Sequence, residues 1–176
     1  GWNWPIVRSR TNCRDTERGR SPLGADFLRQ LEACHICPDV SDISDPGFWD
    51  VVRLARGPVV ATHSNSRALC PHRRTLTDDM FRAIRDSGGV LGLNLYRPFV
   101  GPAGTTEELG AHVEHFLELR GEKALCLGGD LDGCGTLAAG MQGVQDMPRL
   151  WQALAASGYP QTLLEDLFWN NLRRMV

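Results

Sequence analysis

Residues 58–96 read PVVATHSNSRALCPHRRTLTDDMFRAIRDSGGVLGLNLY. Two compact runs, PVVATHS (58–64) and VLGLNLY (90–96), bracket a stretch of different character. The runs are short, apolar and partly β-branched, as strands buried in a sheet are. Between them Thr77 stands ahead of Asp78 and Asp79, which predicts a helix N-cap with an acidic first turn. That helix runs through Ile84 and Arg85. A helix connecting two strands makes them a parallel pair, because antiparallel neighbours need only a tight turn.

The same rhythm extends in both directions. Upstream, HICPDV (35–40) reads as a further strand, weakened by Pro38. Ser21-Pro22 opens a helix with Leu23, Phe27, Leu28 and Leu31 on one face. Asp45-Pro46 opens another, with Phe48, Trp49, Val52 and Leu54 as its apolar positions. Downstream, Thr105 or Thr106, with Glu107 and Glu108, starts a helix reaching Leu119, and ALCLGGD (124–130) is a fourth strand. Helices over 146–157 and 160–175 close the chain. Residues 1–20 carry no period and read as loop. About four parallel strands alternating with helices, without repeats or linkers, predict one α/β domain over residues 1–176.

Composition excludes several classes. The chain has 176 residues, 42% apolar and 23% charged, enough for one core. A net charge of -2 favours neither nucleic acid nor an anionic membrane. No apolar run approaches the roughly 20 residues of a membrane span, and GWNWPIVRSR shows no signal peptide. Six cysteines are too sparse for a disulfide scaffold, and several lie in apolar runs. Reduced thiols and a cytoplasmic-type location are expected.

Each predicted strand turns polar at its C-terminal end. The first ends in Asp39 and Asp42, the second in Thr62, His63 and Ser64, the third in Asn94 and Tyr96, the fourth in Asp130 and Asp132. Parallel sheets place their sites at this edge. Carboxylates and a histidine there supply the O and N ligands of a divalent metal. Helix capping explains any one of these residues equally well, but not the pattern on all four strands. Arg73 and Arg74, just beyond the His63 strand, are either a solvated pair or a fork that clamps a carboxylate.

Other motifs fall away. Cys34 and Cys37 have CxxC spacing but no second metal-ligand pair, and on a strand they point to opposite faces, whereas a redox CxxC opens a helix after a strand. The calcium-loop reading of residues 130–141 fails because Met141 occupies the position of the bidentate glutamate. His112 and His115 lie on an otherwise polar helix face and are expected to be solvated.

The stretches THSNSRALCPHRRTLTDDMFRAIRDSGGVLGLNLY (62–96), LGGDLDG (127–133) and FWNNLRRM (168–175) strongly resemble the membrane (renal) dipeptidase family of zinc peptidases. The segment RSPLGADFLRQLEACHICPDVSDISDPGFWDVV (20–52) fits what precedes them. The resemblance implies an eight-stranded β/α barrel that binds two zinc ions and hydrolyses dipeptides. Carried over by position, His63 matches a zinc ligand. Asp130 matches a ligand that also accepts a proton, and Arg74 matches the arginine that holds the substrate carboxylate. Trp2 falls where members place a histidine or tryptophan over the substrate.

Two departures stand out. The family has a DVSH-like motif where this chain reads DVSD, so Asp42 replaces a histidine ligand; a carboxylate can still bind zinc. No segment resembles the half of the barrel that carries the early His-x-Asp ligands and the bridging glutamate. The expectation is therefore the C-terminal half of a (β/α)8 barrel, strands five to eight. Its expected partner is the missing N-terminal half or a second copy, because open parallel edges invite pairing. A zinc dipeptidase is the implied function, with the chain an incomplete part of the enzyme. The alternatives are a truncated, non-catalytic member and an amidohydrolase acting on another small amide or lactone.

Overall fold

The computed structural model describes residues 22–138 and 140–175. Trp2, Ser21 and the predicted N-terminal loop lie outside the described residues. Among the described residues three strands form, β1 (Ala61–Ser64), β2 (Leu91–Asn94) and β3 (Leu125–Gly129), all parallel and in the order β1-β2-β3. The strand expected over 35–40 is reduced to one parallel bridge, Asp39 to Val60. Two causes are local. His35 adopts a left-handed backbone at φ 56°, and Pro38 has no N–H to offer a ladder. What remains of the pairing is Val40 N–H to the Val60 carbonyl (2.8 Å) and Val60 N–H to the Pro38 carbonyl (3.0 Å).

The helices follow their signals. The first, α1 (Pro22–Ala33), turns Gly24, Ala25 and Leu28 inward, whereas Leu23 stands 60% exposed instead of joining the predicted face. Small residues at 24 and 25 let this helix approach closely, which rotates Leu23 outward. In α2 (Asp45–Leu54), Ser44 caps the N-terminus by accepting from Gly47 N–H at 3.3 Å, and Phe48 and Val51 are buried while Trp49 is not. Thr77 caps α3 (Asp78–Asp86), as predicted. After the short α4 (Arg97–Val100), Thr105 rather than Thr106 caps α5 (Thr106–Glu118), closing a capping box with Glu108. The last predicted helix forms as α7 (Gln161–Glu165), a π-helical turn (Asp166–Asn170) and α8 (Asn171–Arg173), preceded by α6 (Met147–Ala156). Buried Asn171 donates to the carbonyls of Glu122 and Leu125, both at 2.7 Å, tying this helix to the start of β3.

The two faces of the sheet differ. One packs Leu91, Leu93 and Leu125 against the helices in a single core, where the Phe81 and Phe116 rings lie 4.5 Å apart. The other holds a small cluster of Val60, Val90 and Cys126 near the strand starts. Farther along come Gly92 and Gly128. A Cβ on either would fall 2.1 or 1.9 Å from the Thr62 carbonyl oxygen, so the strands curl closely enough to require glycine there.

Candidate functional site

Both strand pairings slip by one residue at the carboxyl edge. Ala61 pairs with Leu91 but Ser64 with Leu93, so β1 holds one extra residue. Leu93 pairs with Leu127 but Asn94 with Gly129, so β3 holds another. Bulges re-aim side chains at strand ends. Here the first brings the neighbouring side chains of Thr62 and His63 into contact, Oγ1 to Nδ1 at 2.9 Å, although residues one apart on a regular strand face opposite ways.

His63 lies among charges. Its Nε2 is 3.4 Å from Asp42 Oδ2, and Arg74 Nη2 is also 3.4 Å from that nitrogen. The other carboxylate oxygen of Asp42 accepts from Arg74 Nη2 at 2.5 Å. Burial disfavours a charged His63 ring, but the Asp42 contact and the nearby carboxylates of Asp130, Asp39 and Asp42 outweigh it. The ring is held above the ordinary histidine value. Asp42 and Asp130 both adopt left-handed backbone, at φ 70° and 55°. Such conformations cost energy outside glycine and collect at functional sites.

Asp130 is placed by a chain of amides. Buried Asn65 donates from Nδ2 to the Asn94 carbonyl at 3.0 Å and accepts from Asn94 N–H at 3.1 Å. Asn94 Nδ2 then donates to Asp130 Oδ2 at 3.2 Å. Gly133 leaves room for the carboxylate, since a Cβ there would sit 2.1 Å from Asp130 Oδ1. Asn65 had no signal in the sequence beyond following a strand; its role depends on the ends of β1 and β2 being adjacent.

The two adjacent arginines separate. Arg73 is exposed, whereas the Arg74 side chain is 12% exposed and lies over the Phe99 ring at 5.5 Å. Its backbone is pinned, with Ser64 Oγ donating to the Arg74 carbonyl at 2.9 Å. Arg67 holds the same loop through a fork on Asp45 (2.6 and 2.9 Å) and a bond to the Thr75 carbonyl. The Nε–H of Arg74 is buried without an acceptor among the described residues, an expensive state for a charged donor.

One expectation is overturned. His112 is not solvated but fully buried. Its Nδ1 accepts from Ser66 N–H at 3.2 Å, and its Nε2–H donates to the Val100 carbonyl at 2.8 Å. The segments after β1 and β2 fold over α5 and need a brace with one acceptor and one donor, which a neutral imidazole provides. Its neighbour His115 is mostly buried too and pairs with Asp78 at 2.7 Å. Cys34, Cys37, Cys70, Cys126 and Cys134 are all free of disulfides.

His63 and Asp42 offer the nitrogen and oxygen donors that zinc takes. The separation of 3.4 Å between His63 Nε2 and Asp42 Oδ2 is long for a hydrogen bond. It matches the edge of a zinc tetrahedron, about 3.3–3.4 Å for bonds of about 2.0–2.1 Å. The pair therefore suits one ion. Among the described residues, however, no group of three or more His, Cys, Asp or Glu side chains is arranged around a common point that could hold a metal. Asp130 is not brought into such a group with His63 and Asp42.

A parallel α/β sheet with these groups at its carboxyl edge is where active sites of α/β proteins form, and comparison with known proteins narrows the class. The family model described as membrane dipeptidase (peptidase family M19) matches residues 4–176, and the chain belongs to that family. A protein in the pqqA 5′ region of Klebsiella pneumoniae is 40% identical over 168 residues, covering 92% of this chain and 62% of its own length. An uncharacterized dipeptidase of Schizosaccharomyces pombe is 27% identical over 164 residues, covering 91% of this chain and 40% of its own. Among solved structures, a metallo peptidase from Rhodobacter sphaeroides, liganded with a phosphinate mimic of the dipeptide L-Ala-D-Ala, superposes with a TM-score of 0.86. It is 33% identical and covers 92% of this chain and 47% of that one. An amidohydrolase from Pseudomonas aeruginosa, 21% identical with a TM-score of 0.86, shares the fold and covers 99% of this chain and 60% of its own. The chain thus spans about half the length of the Rhodobacter sphaeroides metallo peptidase it matches. The fold is the barrel-type α/β fold of those neighbours. Among the described residues no helix is long and apolar enough to cross a membrane.

Proposed function

We propose that this chain carries the C-terminal half of the active site of a zinc-dependent dipeptidase. Membership of a metallopeptidase family supports a hydrolase; the zinc, the dipeptide and the residue roles are the proposal. His63 through Nε2, Asp42 through Oδ2, and Asp130 are the residues that would hold metal. Two ions are expected in the complete enzyme, with the remaining ligands supplied from outside the described residues. Zinc, when bound, supplies Lewis-acid polarisation of the peptide carbonyl and a water of lowered pKa. Asp130, fixed by Asn94, accepts the proton of the attacking water and returns it to the leaving amine.

The observation that carries the reading is Arg74. Its guanidinium lies at the carboxyl edge of the sheet, with Nη2 3.4 Å from His63 Nε2, where a planar donor fork suits the free carboxylate of a dipeptide. Binding through that carboxylate selects short substrates over proteins. Losing a charged hydrogen bond costs about 1.5–3 kcal/mol. Arg74→Ala in the zinc-loaded protein is therefore expected to raise the dipeptide KM by about ten- to a hundredfold with kcat little changed. An unchanged KM would remove the clamp.

A non-catalytic member is the second reading. It is favoured by the missing three-ligand group among the described residues. Elemental analysis decides between them, with two zinc ions per protein expected for the enzyme and none for the inert chain.

A further inference from the structure

The side chains behind His63 form a directed chain of hydrogen bonds. Asp39 Oδ1 accepts from two backbone donors, Ser41 N–H at 2.9 Å and Thr62 N–H at 3.1 Å. Its other oxygen, Oδ2, lies 2.6 Å from Thr62 Oγ1. An ionised carboxylate can only accept, so the single proton of the threonine hydroxyl points at Asp39. The hydroxyl oxygen then has only lone pairs for its other neighbour, His63 Nδ1, at 2.9 Å. That contact is a hydrogen bond only if Nδ1 carries the proton.

We propose that Asp39 and Thr62 are positioning residues that fix the proton of His63 on Nδ1 and turn the lone pair of Nε2 toward Asp42 and Arg74. The relay also holds the ring in place. His63 N–H donates to Ser41 Oγ at 3.1 Å, so the backbone is anchored to the same segment that carries Asp39. In the charged ring both nitrogens are protonated, and in the neutral ring only Nε2 is bare; Nδ1 keeps its proton in either state. The arrangement depends on the β1 bulge, because without the extra residue Thr62 and His63 would face opposite sides. Carboxylate partners of this kind orient metal-binding histidines, and their loss typically costs about 10–100-fold in metal affinity. Here the carboxylate acts through an intervening hydroxyl. The consequence for metal rests on the reading of His63 as a ligand; the relay itself does not.

The direction of the chain makes a specific prediction. Asp39→Asn keeps the shape and leaves Oδ1 to accept from the two backbone donors. It places Nδ2–H against Thr62 Oγ1, so the hydroxyl must turn and donate to His63 Nδ1. The proton of the neutral ring then moves to Nε2. The tautomer is read by long-range 1H–15N correlation of the histidine rings of the intact chain, at a pH where His63 is neutral. The expected result is Nδ1–H in the wild-type protein and Nε2–H in Asp39→Asn. Thr62→Val should release the preference and Thr62→Ser restore it. Zinc affinity by titration calorimetry should fall about 10–100-fold in Asp39→Asn and in Thr62→Val and stay near the wild-type value in Thr62→Ser. A wild-type ring protonated on Nε2, or an Asp39→Asn ring unchanged from wild type, overturns the relay. If the tautomer changes as described but wild-type protein takes up no zinc, the relay stands and the metal reading fails.

Discussion

The helix-covered face of the sheet and its opposite face obey different rules. On the first, Leu91, Leu93 and Leu125 pack into a continuous apolar core with side chains from nearly every helix. On the second, glycines at 92 and 128 let backbone meet backbone, and the small apolar cluster gives way to polar residues at the strand ends. The comparison teaches that one face holds the chain together through side-chain volume, which tolerates exchange of similar shapes. The other works through close backbone approach and directed hydrogen bonds, where the identity of each atom matters.

The largest expected effect tests that contrast directly. Leu93→Ala removes a fully buried side chain from the helix-covered face and should cost about 2–5 kcal/mol. Gly128→Ala adds one methyl on the other face, where a Cβ would lie 1.9 Å from the Thr62 oxygen, and should cost about 1–3 kcal/mol. Denaturant midpoints measure both. A harmless Gly128→Ala would mean that the strands do not curl as described.

The next effect concerns metal. Asp42→Asn removes the carboxylate that contacts both Arg74 and His63. It is expected to weaken zinc binding at least about tenfold, while Asp42→His should retain it, since imidazole is an equally good zinc ligand. Metal content after dialysis reads the difference. Equal zinc in Asp42→Asn would make Asp42 a partner of Arg74 alone.

The smallest effect is a pH dependence of stability from His112. Burial, opposed by its bond to the Val100 carbonyl, holds this ring below the ordinary histidine value. The unfolded chain, with an ordinary value near about 6.5, therefore binds the proton more readily than the folded one. The neutral brace contributes fully above that pH, and its contribution is lost as pH falls through the depressed folded value. Urea unfolding at several pH values should show stability falling on acidification, and His112→Gln should flatten the trend. A variant with the wild-type slope would place the titration elsewhere.

Much of the fold was legible in the chain. Thr77, Asp45-Pro46 and the Thr105-Thr106 pair with Glu107 and Glu108 announced their helices, and three strands formed where short apolar runs lay between them. Capping and periodicity act within a few residues, so a linear reading captures them. The strand at 35–40 shrank to one bridge because His35 takes a left-handed backbone and Pro38 offers no N–H, so the segment pairs with Val60 only at Pro38–Val40. The exposed Leu23 shows the same limit, since which helical face is inward depends on how closely the neighbours approach.

The site divides along the same line. The sequence by itself determined that acids, a histidine and an arginine fall at strand ends, because strand boundaries and residue types are local properties. Residue type and spacing left Arg73 and Arg74 alike, with only the family resemblance pointing to Arg74, and put His112 in solvent, because both depend on loops folding over distant helices. Only the tertiary structure decided that Asp42 faces both Arg74 and His63, that Asn65 and Asn94 hold Asp130, and that Asp39 reaches His63 through Thr62. Each of these joins separate strand ends, and two bulges set the register between them. Register and bulge are properties of paired strands, and no single stretch of the chain contains them.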